Sequence, residues 1–280
     1  MAPVLARRSL ALVLTLGLAL GTAATRAATL QPDDDPAASP VWQKVRASLF
    51  ESRAIEPAPS ELLKFEAPAR AIDAAVVPIA IRTRLPAGGP VWVSKLYLII
   101  DANPSPVSGI FGFTPDSGRA DLELRVRVDA YSHVRAIVET SDGKLFMATR
   151  FVKASGGCSA PAGGDAAAAL ATFGQISFRI DGDLKGREPV MAQLAIQHPN
   201  HSGLAMDQAT RQYTPAHYVR KVDVSYAGRP VFAADVDFSM SENPNFRFYF
   251  MPQPGGGELR ASVVDSKDQR FVAAQALRQP

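Results

Sequence analysis

Reactive chemistry in this chain is concentrated on one thiol. Its single cysteine, Cys158, stands in the run Ala154-Ser155-Gly156-Gly157-Cys158-Ser159-Ala160. Cysteines kept for packing sit among bulky apolar neighbours, whereas this one is flanked by glycine, serine and alanine. Three roles fit: an incidental linker residue, one half of an intermolecular disulfide, or a thiol that carries a group for another protein. The third role uses the slenderness of the segment. Gly156, Gly157 and Ser159 would form a flexible arm thin enough to enter a narrow active site, and the tether would raise the effective concentration of a bound group. The reactive form is the thiolate, with a free pKa of about 8.5, so a partner pocket would have to activate it. On this reading Cys158 is accessible, and Cys158→Ser changes stability by no more than about 0.5 kcal/mol. A thiol oxidoreductase fits less well, because there is no C-x-x-C pair.

The histidines say less. His198 and His201 are three apart, but Pro199 between them argues for a loop rather than one helical turn. With His217 they make a trio of imidazoles that no carboxylate-rich cluster accompanies, so no metal is expected. His133 falls in a turn and reads as solvated. Asp181 and Asp183 lie at a strand end, where they suit a turn better than acid–base work. There is no G-x-S-x-G elbow, Walker loop or H-E-x-x-H helix. No catalytic residue and no cofactor are expected.

The elements that must position Cys158 are nearly all strands. One helix is expected: Ser39 caps it, Pro40 takes its first position, and Val41, Trp42, Val45 and Leu49 share a face. Period-two alternation follows. Leu122, Leu124, Val126 and Val128 point one way, and Glu123, Arg125, Arg127 and Asp129 the other. Val134, Ala136 and Val138 continue it, Ser141-Asp142-Gly143-Lys144 turns the chain, and Leu145, Met147, Thr149 and Phe151 return. Val76 to Arg84 and Trp92 to Ile100 add two strands. After the Gly/Ala-rich stretch, strands are expected at Ile176–Ile180, Val190–Ile196, Val222–Tyr226, Phe246–Phe250 and Leu259–Val263, with a turn at Ala227-Gly228-Arg229-Pro230. The reading is all-β: two immunoglobulin-like antiparallel sandwiches in tandem after a short N-terminal helix.

Composition bounds the compartment. Residues 1–28 read as an export leader, with Arg7-Arg8, an apolar stretch from Leu10 to Ala24, and small residues at Thr25-Arg26-Ala27-Ala28. The paired arginines also fit a twin-arginine signal. That apolar stretch, roughly 15 residues, is short for a membrane span. The leader takes three of the 30 Lys+Arg and none of the 27 Asp+Glu, so the charges left behind balance. Nothing there favours a nucleic-acid or membrane-surface binder. The expected organisation is a signal peptide over 1–28, an acidic Pro-rich leader over 29–39, a sandwich over 40–155, the cysteine segment and linker over 156–172, and a second sandwich over 173–280.

The chain resembles a known pair of families over nearly all of the expected mature length. Asp101-Ala102-Asn103-Pro104-Ser105-Pro106, Ser132-His133-Val134-Arg135-Ala136, Ser141-Asp142-Gly143-Lys144 and Val152-Lys153-Ala154-Ser155-Gly156-Gly157-Cys158 look like SoxY, the sulfur-carrying subunit of periplasmic thiosulfate oxidation. Gln197-His198-Pro199, Thr214-Pro215-Ala216-His217-Tyr218, Ser241-Glu242-Asn243-Pro244 and Phe246-Arg247-Phe248 look like its partner SoxZ. The order is similar to fused SoxYZ-like carriers encoded near quinoprotein (PQQ) alcohol dehydrogenases. The resemblance implies two sandwiches that dock within the chain, Cys158 as the covalent attachment point, and partners that are periplasmic sulfur-oxidation enzymes or a quinoprotein dehydrogenase system. One departure stands out: the separate carrier subunit ends at Gly-Gly-Cys-Gly-Gly, whereas here Ser159-Ala160-Pro161 follow and the arm is tethered at both ends. The alternative is a non-covalent accessory module of the quinoprotein system, with Cys158 dispensable.

Overall fold

The computed structural model describes residues 30–278 apart from 33, 86, 87, 162, 164, 165 and 209; the expected leader over 1–28 lies outside the described residues. In chain order the elements are α1 (Pro40–Phe50), β1 (Ile55–Pro57), β2 (Leu63–Glu66), β3 (Val77–Thr83), β4 (Val93–Ile100), β5 (Val107–Phe113), β6 (Leu122–Val126), β7 (Ser132–Thr140) and β8 (Leu145–Val152). After α2 (Ala166–Thr172) come β9 (Ile176–Asp181), β10 (Val190–Ile196), β11 (Val219–Tyr226), β12 (Arg229–Val236), β13 (Asn245–Phe250), β14 (Gly257–Asp265) and β15 (Arg270–Leu277). The all-β tandem sandwich read from the alternation is what forms. No described helix is long and apolar enough to cross a membrane.

The two halves share their sheets. One sheet has nine strands in the order β1-β8-β7-β4-β5-β12-β11-β14-β15, the other six in the order β2-β3-β6-β13-β10-β9. Each order crosses from the first half of the chain to the second in its interior. In the large sheet, β5 and β12 pair antiparallel from Phe232 opposite Phe113 to Val236 opposite Gly109. In the small sheet the crossing is thinner, with Arg247 opposite Glu123 and an isolated bridge between Val126 and Met240. Among the strand pairs described, only β1 with β8 is parallel.

One hydrophobic core fills the space between the sheets and runs through both halves. Its centre is aromatic: Phe232 lies nearly parallel to Phe248 at 4.7 Å, with Phe246 at 5.9 Å and Phe111 at 6.3 Å. Each such ring contributes about 1.5–3 kcal/mol through burial. Gly109 makes the arrangement possible, since a Cβ there would stand 2.7 Å from the Phe111 ring.

Helix α1 starts as its residues require. The Ser39 Oγ accepts the Trp42 amide proton at 3.2 Å, and Pro40 opens the first turn where no intrahelical donor is needed. The buried pair is Trp42 and Phe50, packed with Tyr97, Ile99, Ile137 and Leu145. Val41, placed on that face by the sequence reading, is 37% exposed, because one position of helix rotates its side chain away from Trp42. A buried pair straps the segment down: Arg135 bonds Asp101 at 2.8 and 2.5 Å, donates to the Pro36 carbonyl at 2.7 Å and covers the Trp42 ring.

Three further expectations are corrected. The second-half turn is only Ala227-Gly228, both with positive φ, as a tight hairpin demands; Arg229 and Pro230 already belong to β12. His133 is 3% exposed rather than solvated, because its strand is flanked on both sides in the sheet and its ring meets Phe151 edge to face at 5.0 Å. Arg127, which alternation sends outward, is also 3% exposed, because the second half of the chain covers it. Burial lowers its pKa.

Candidate functional site

Cys158 lies where β8 has ended and the chain folds back against the end of β6. The segment is docked, which corrects the expected free arm. Gly156 donates its amide to the Asp129 carbonyl at 2.7 Å and Gly157 to the Val128 carbonyl at 3.1 Å. The Cys158 amide donates to Asp129 Oδ1 at 3.2 Å, and the Ser159 hydroxyl to the Gly156 carbonyl at 3.2 Å. Glycine is needed here for close contact. Gly156 has φ +78°, and a Cβ on Gly157 would stand 2.1 Å from the Ala74 carbonyl oxygen and 2.6 Å from that of Val128.

The second half of the chain closes the dock. Ser202 donates its hydroxyl to the Cys158 carbonyl, and the Gly163 amide donates to Glu242 Oε2 at 2.8 Å. Around them, Ser241 donates to the Ala75 carbonyl at 2.8 Å, and Asn103 Nδ2 reaches the Arg127 carbonyl at 2.9 Å and Ser239 Oγ at 3.1 Å. Arg127 spans the centre: its Nη1 donates to the Gly157 carbonyl at 3.2 Å. Among the described residues it forms no ion pair within 4.0 Å, and its Nε has no hydrogen-bond partner.

These contacts leave Cys158 with 0% exposure. Burial, and next the neighbouring Asp129, push its thiol up to about 12; Arg127 opposes and Asp237 adds to the push. Asp237 is itself raised by burial, which outweighs the bonds it receives from Ser105 and Ser239. A thiol held there is protonated at neutral pH and unreactive, since the nucleophile is the thiolate. Replacing it with serine would bury a hydroxyl in the space of a thiol, so the expected cost rises to about 1–3 kcal/mol, measured by denaturant unfolding.

The loop that carries Ser202 also carries a histidine cluster. His198 and His217 meet Asp265, a carboxylate that their spacing in sequence does not reveal, and their ligand-capable atoms lie within 4.8 Å of one another. His217 Nε2 is 2.7 Å from Asp265 Oδ2, and His198 Nε2 is 3.6 Å from it. His201 joins only through a backbone bridge to His217. Burial raises Asp265, but the His217 bond and the amides of Gln269 and Lys267 outweigh it and hold the carboxyl below its ordinary value. Burial, and then His217, push His198 down to about 4, so its ring is neutral. Its Nδ1 accepts the Asn200 amide proton at 3.1 Å, which puts the ring hydrogen on Nε2, facing the carboxylate. A metal would need that lone pair, so the geometry suits a hydrogen-bonded clamp. Phe173, just beyond the linker, packs on both rings at 5.2 and 5.5 Å.

Asp181 is exposed at the end of β9, and Asp183 accepts the Lys185 amide at 2.9 Å, as a turn residue does. Sequence reasoning missed Asn103, Arg127, Asp129, Ser202 and Asp237 as parts of the site. Only Asn103 falls in a segment that carries the family resemblance; Arg127, Asp129, Ser202 and Asp237 lie outside those segments and gave no signal of their own.

Two family models match the chain in succession: Sulfur oxidation protein SoxY over residues 46–158 and Sulphur oxidation protein SoxZ over residues 180–276. The first match ends on the docked cysteine. The chain therefore belongs to the SoxY and SoxZ families as a fused SoxYZ-like protein. A sulfur carrier protein SoxY from Chlorobium limicola f thiosulfatophilum is similar at 26% identity, covering 40% of this chain and 94% of that one, with a TM-score of 0.34. A superoxide reductase (neelaredoxin) from Ignicoccus hospitalis is similar at 18% identity, covering 33% and 79%, with a TM-score of 0.29. A search of curated proteins finds no match.

Proposed function

We propose that this chain is a periplasmic carrier that holds a sulfur-containing intermediate covalently on Cys158 and presents it to partner enzymes, taking no catalytic part itself. One observation carries the reading: the chain's single cysteine is the last residue of the SoxY match and sits on a glycine-hinged segment held mainly by individual hydrogen bonds. Such contacts contribute about 0.5–1.5 kcal/mol each, so the segment can leave its dock without unfolding the sandwich. In this reading the leader exports the protein, by the general or the twin-arginine route, and the partners are sulfur-oxidation enzymes or a quinoprotein dehydrogenase system. Intact-mass measurement of protein isolated from the periplasm tests it. Mass adducts that map to Cys158 and vanish in Cys158→Ser are expected; unmodified wild-type protein under sulfur-oxidising growth would refute it.

A second reading is favoured by the burial of Cys158 and the tether at both ends. It makes the protein a non-covalent accessory module of a quinoprotein system. Full in vivo function of the Cys158→Ser variant would select it.

A further inference from the structure

A residue that water cannot touch has no space beside it for further atoms. Cys158 is in that condition. Gly157 already abuts the Ala74 and Val128 carbonyls, so the segment cannot shift deeper to make room. On the other side, Ser202 holds the Cys158 carbonyl across the seam. Asp129 bonds the Cys158 amide at 3.2 Å and Asp237 adds a second carboxyl group, while Arg127, which forms no ion pair among the described residues, donates to the Gly157 carbonyl at 3.2 Å. A small thiol fits this site. A thiol extended by a sulfur group brings volume to a place with no space.

We propose that loading Cys158 is itself the signal that releases the segment: the empty thiol docks at the seam between the halves, and the loaded one is expelled into solvent. This rests on the carrier reading above and adds its regulation. Loading occurs during a transient opening, when the thiol can ionise, and the adduct then blocks return. The empty carrier is sheltered from stray oxidants and offers partner enzymes no competing substrate-free arm. The loaded carrier displays its cargo.

The test compares three forms of the full chain. One is unmodified. In the second, the thiolate attacks methyl methanethiosulfonate, forming a neutral Cys158 methyl disulfide and releasing methanesulfinate. In the third it attacks an inner sulfur of tetrathionate, forming Cys158–S–SO3− and releasing thiosulfate. Amide hydrogen exchange at Gly156, Gly157 and Cys158, read by NMR, reports docking, because all three donate a hydrogen bond only in the docked state. Protection is expected in the unmodified protein, with exchange faster by about tenfold or more in the bulkier thiosulfonate form and by less in the smaller methyl disulfide. Undiminished protection in the thiosulfonate form overturns the proposal, and so does equal release by the two adducts. The carrier reading fails separately: protein isolated without adducts would sink it even if chemically loaded protein undocks. Native adducts with full protection would sink the release mechanism alone.

Discussion

Two of the places where the halves of the molecule meet are built from different materials. At β5 and β12 they meet as a five-residue ladder over stacked phenylalanines, where nothing can be withdrawn without opening a cavity in the core. At the cysteine they meet through isolated hydrogen bonds: Ser202 to the Cys158 carbonyl, Ser241 to the Ala75 carbonyl, Gly163 to Glu242. The first contact fixes the two halves as one body. Under the release proposed above, the second is made and unmade while the first persists.

Substitutions separate the two. Phe232→Ala should cost about 3–5 kcal/mol and lower a single unfolding transition for the whole chain in urea. Two separate transitions would show that the halves fold apart. Acid should weaken the polar contact through His198. Its folded pKa, near 4, is below its ordinary 6.5, so its neutral form contributes fully above 6.5 and the contribution is lost as pH falls toward 4. The loss reaches at most about 2 kcal/mol by pH 5, measured as the difference in urea stability between wild type and His198→Gln at pH 7 and pH 5. Gly157→Ala meets two carbonyl oxygens and should undock the segment, costing about 1–2 kcal/mol and speeding native-state thiol labelling of Cys158 by about tenfold. Ser202→Ala removes one cross-seam bond, for about 0.5–1.5 kcal/mol, and should speed labelling severalfold with the global transition almost unmoved.

What the sequence made legible was local. The Ser39 cap, the alternation through β6 to β8, and the chemical isolation of Cys158 are each visible within a window of about ten residues. The strands that join the halves were hidden by their own packing. Gly109 and Gly112 interrupt β5, where Gly109 leaves room for the Phe111 ring, and Pro230 makes the start of β12 resemble a turn. The dock was hidden for another reason. Arg127, Asp129, Asn103 and Ser202 come from distant stretches, and a charged residue on an alternating strand reads as solvent-facing until another half of the chain covers it. The glycines carried an ambiguous message: the same lack of a Cβ that permits swinging also permits close contact.

The tether sets a length. Ala154 is buried in the core and lies four residues before Cys158, so the Cα of a released Cys158 can travel at most about 13–14 Å from that anchor even with the chain fully drawn out. Downstream, the chain must still return to Phe173, held between His198 and His217. An enzyme served by this protein therefore needs a catalytic cleft shallower than about 14 Å and wide enough for two passes of backbone. A deep, single-file tunnel would admit a free-ended peptide but not this loop.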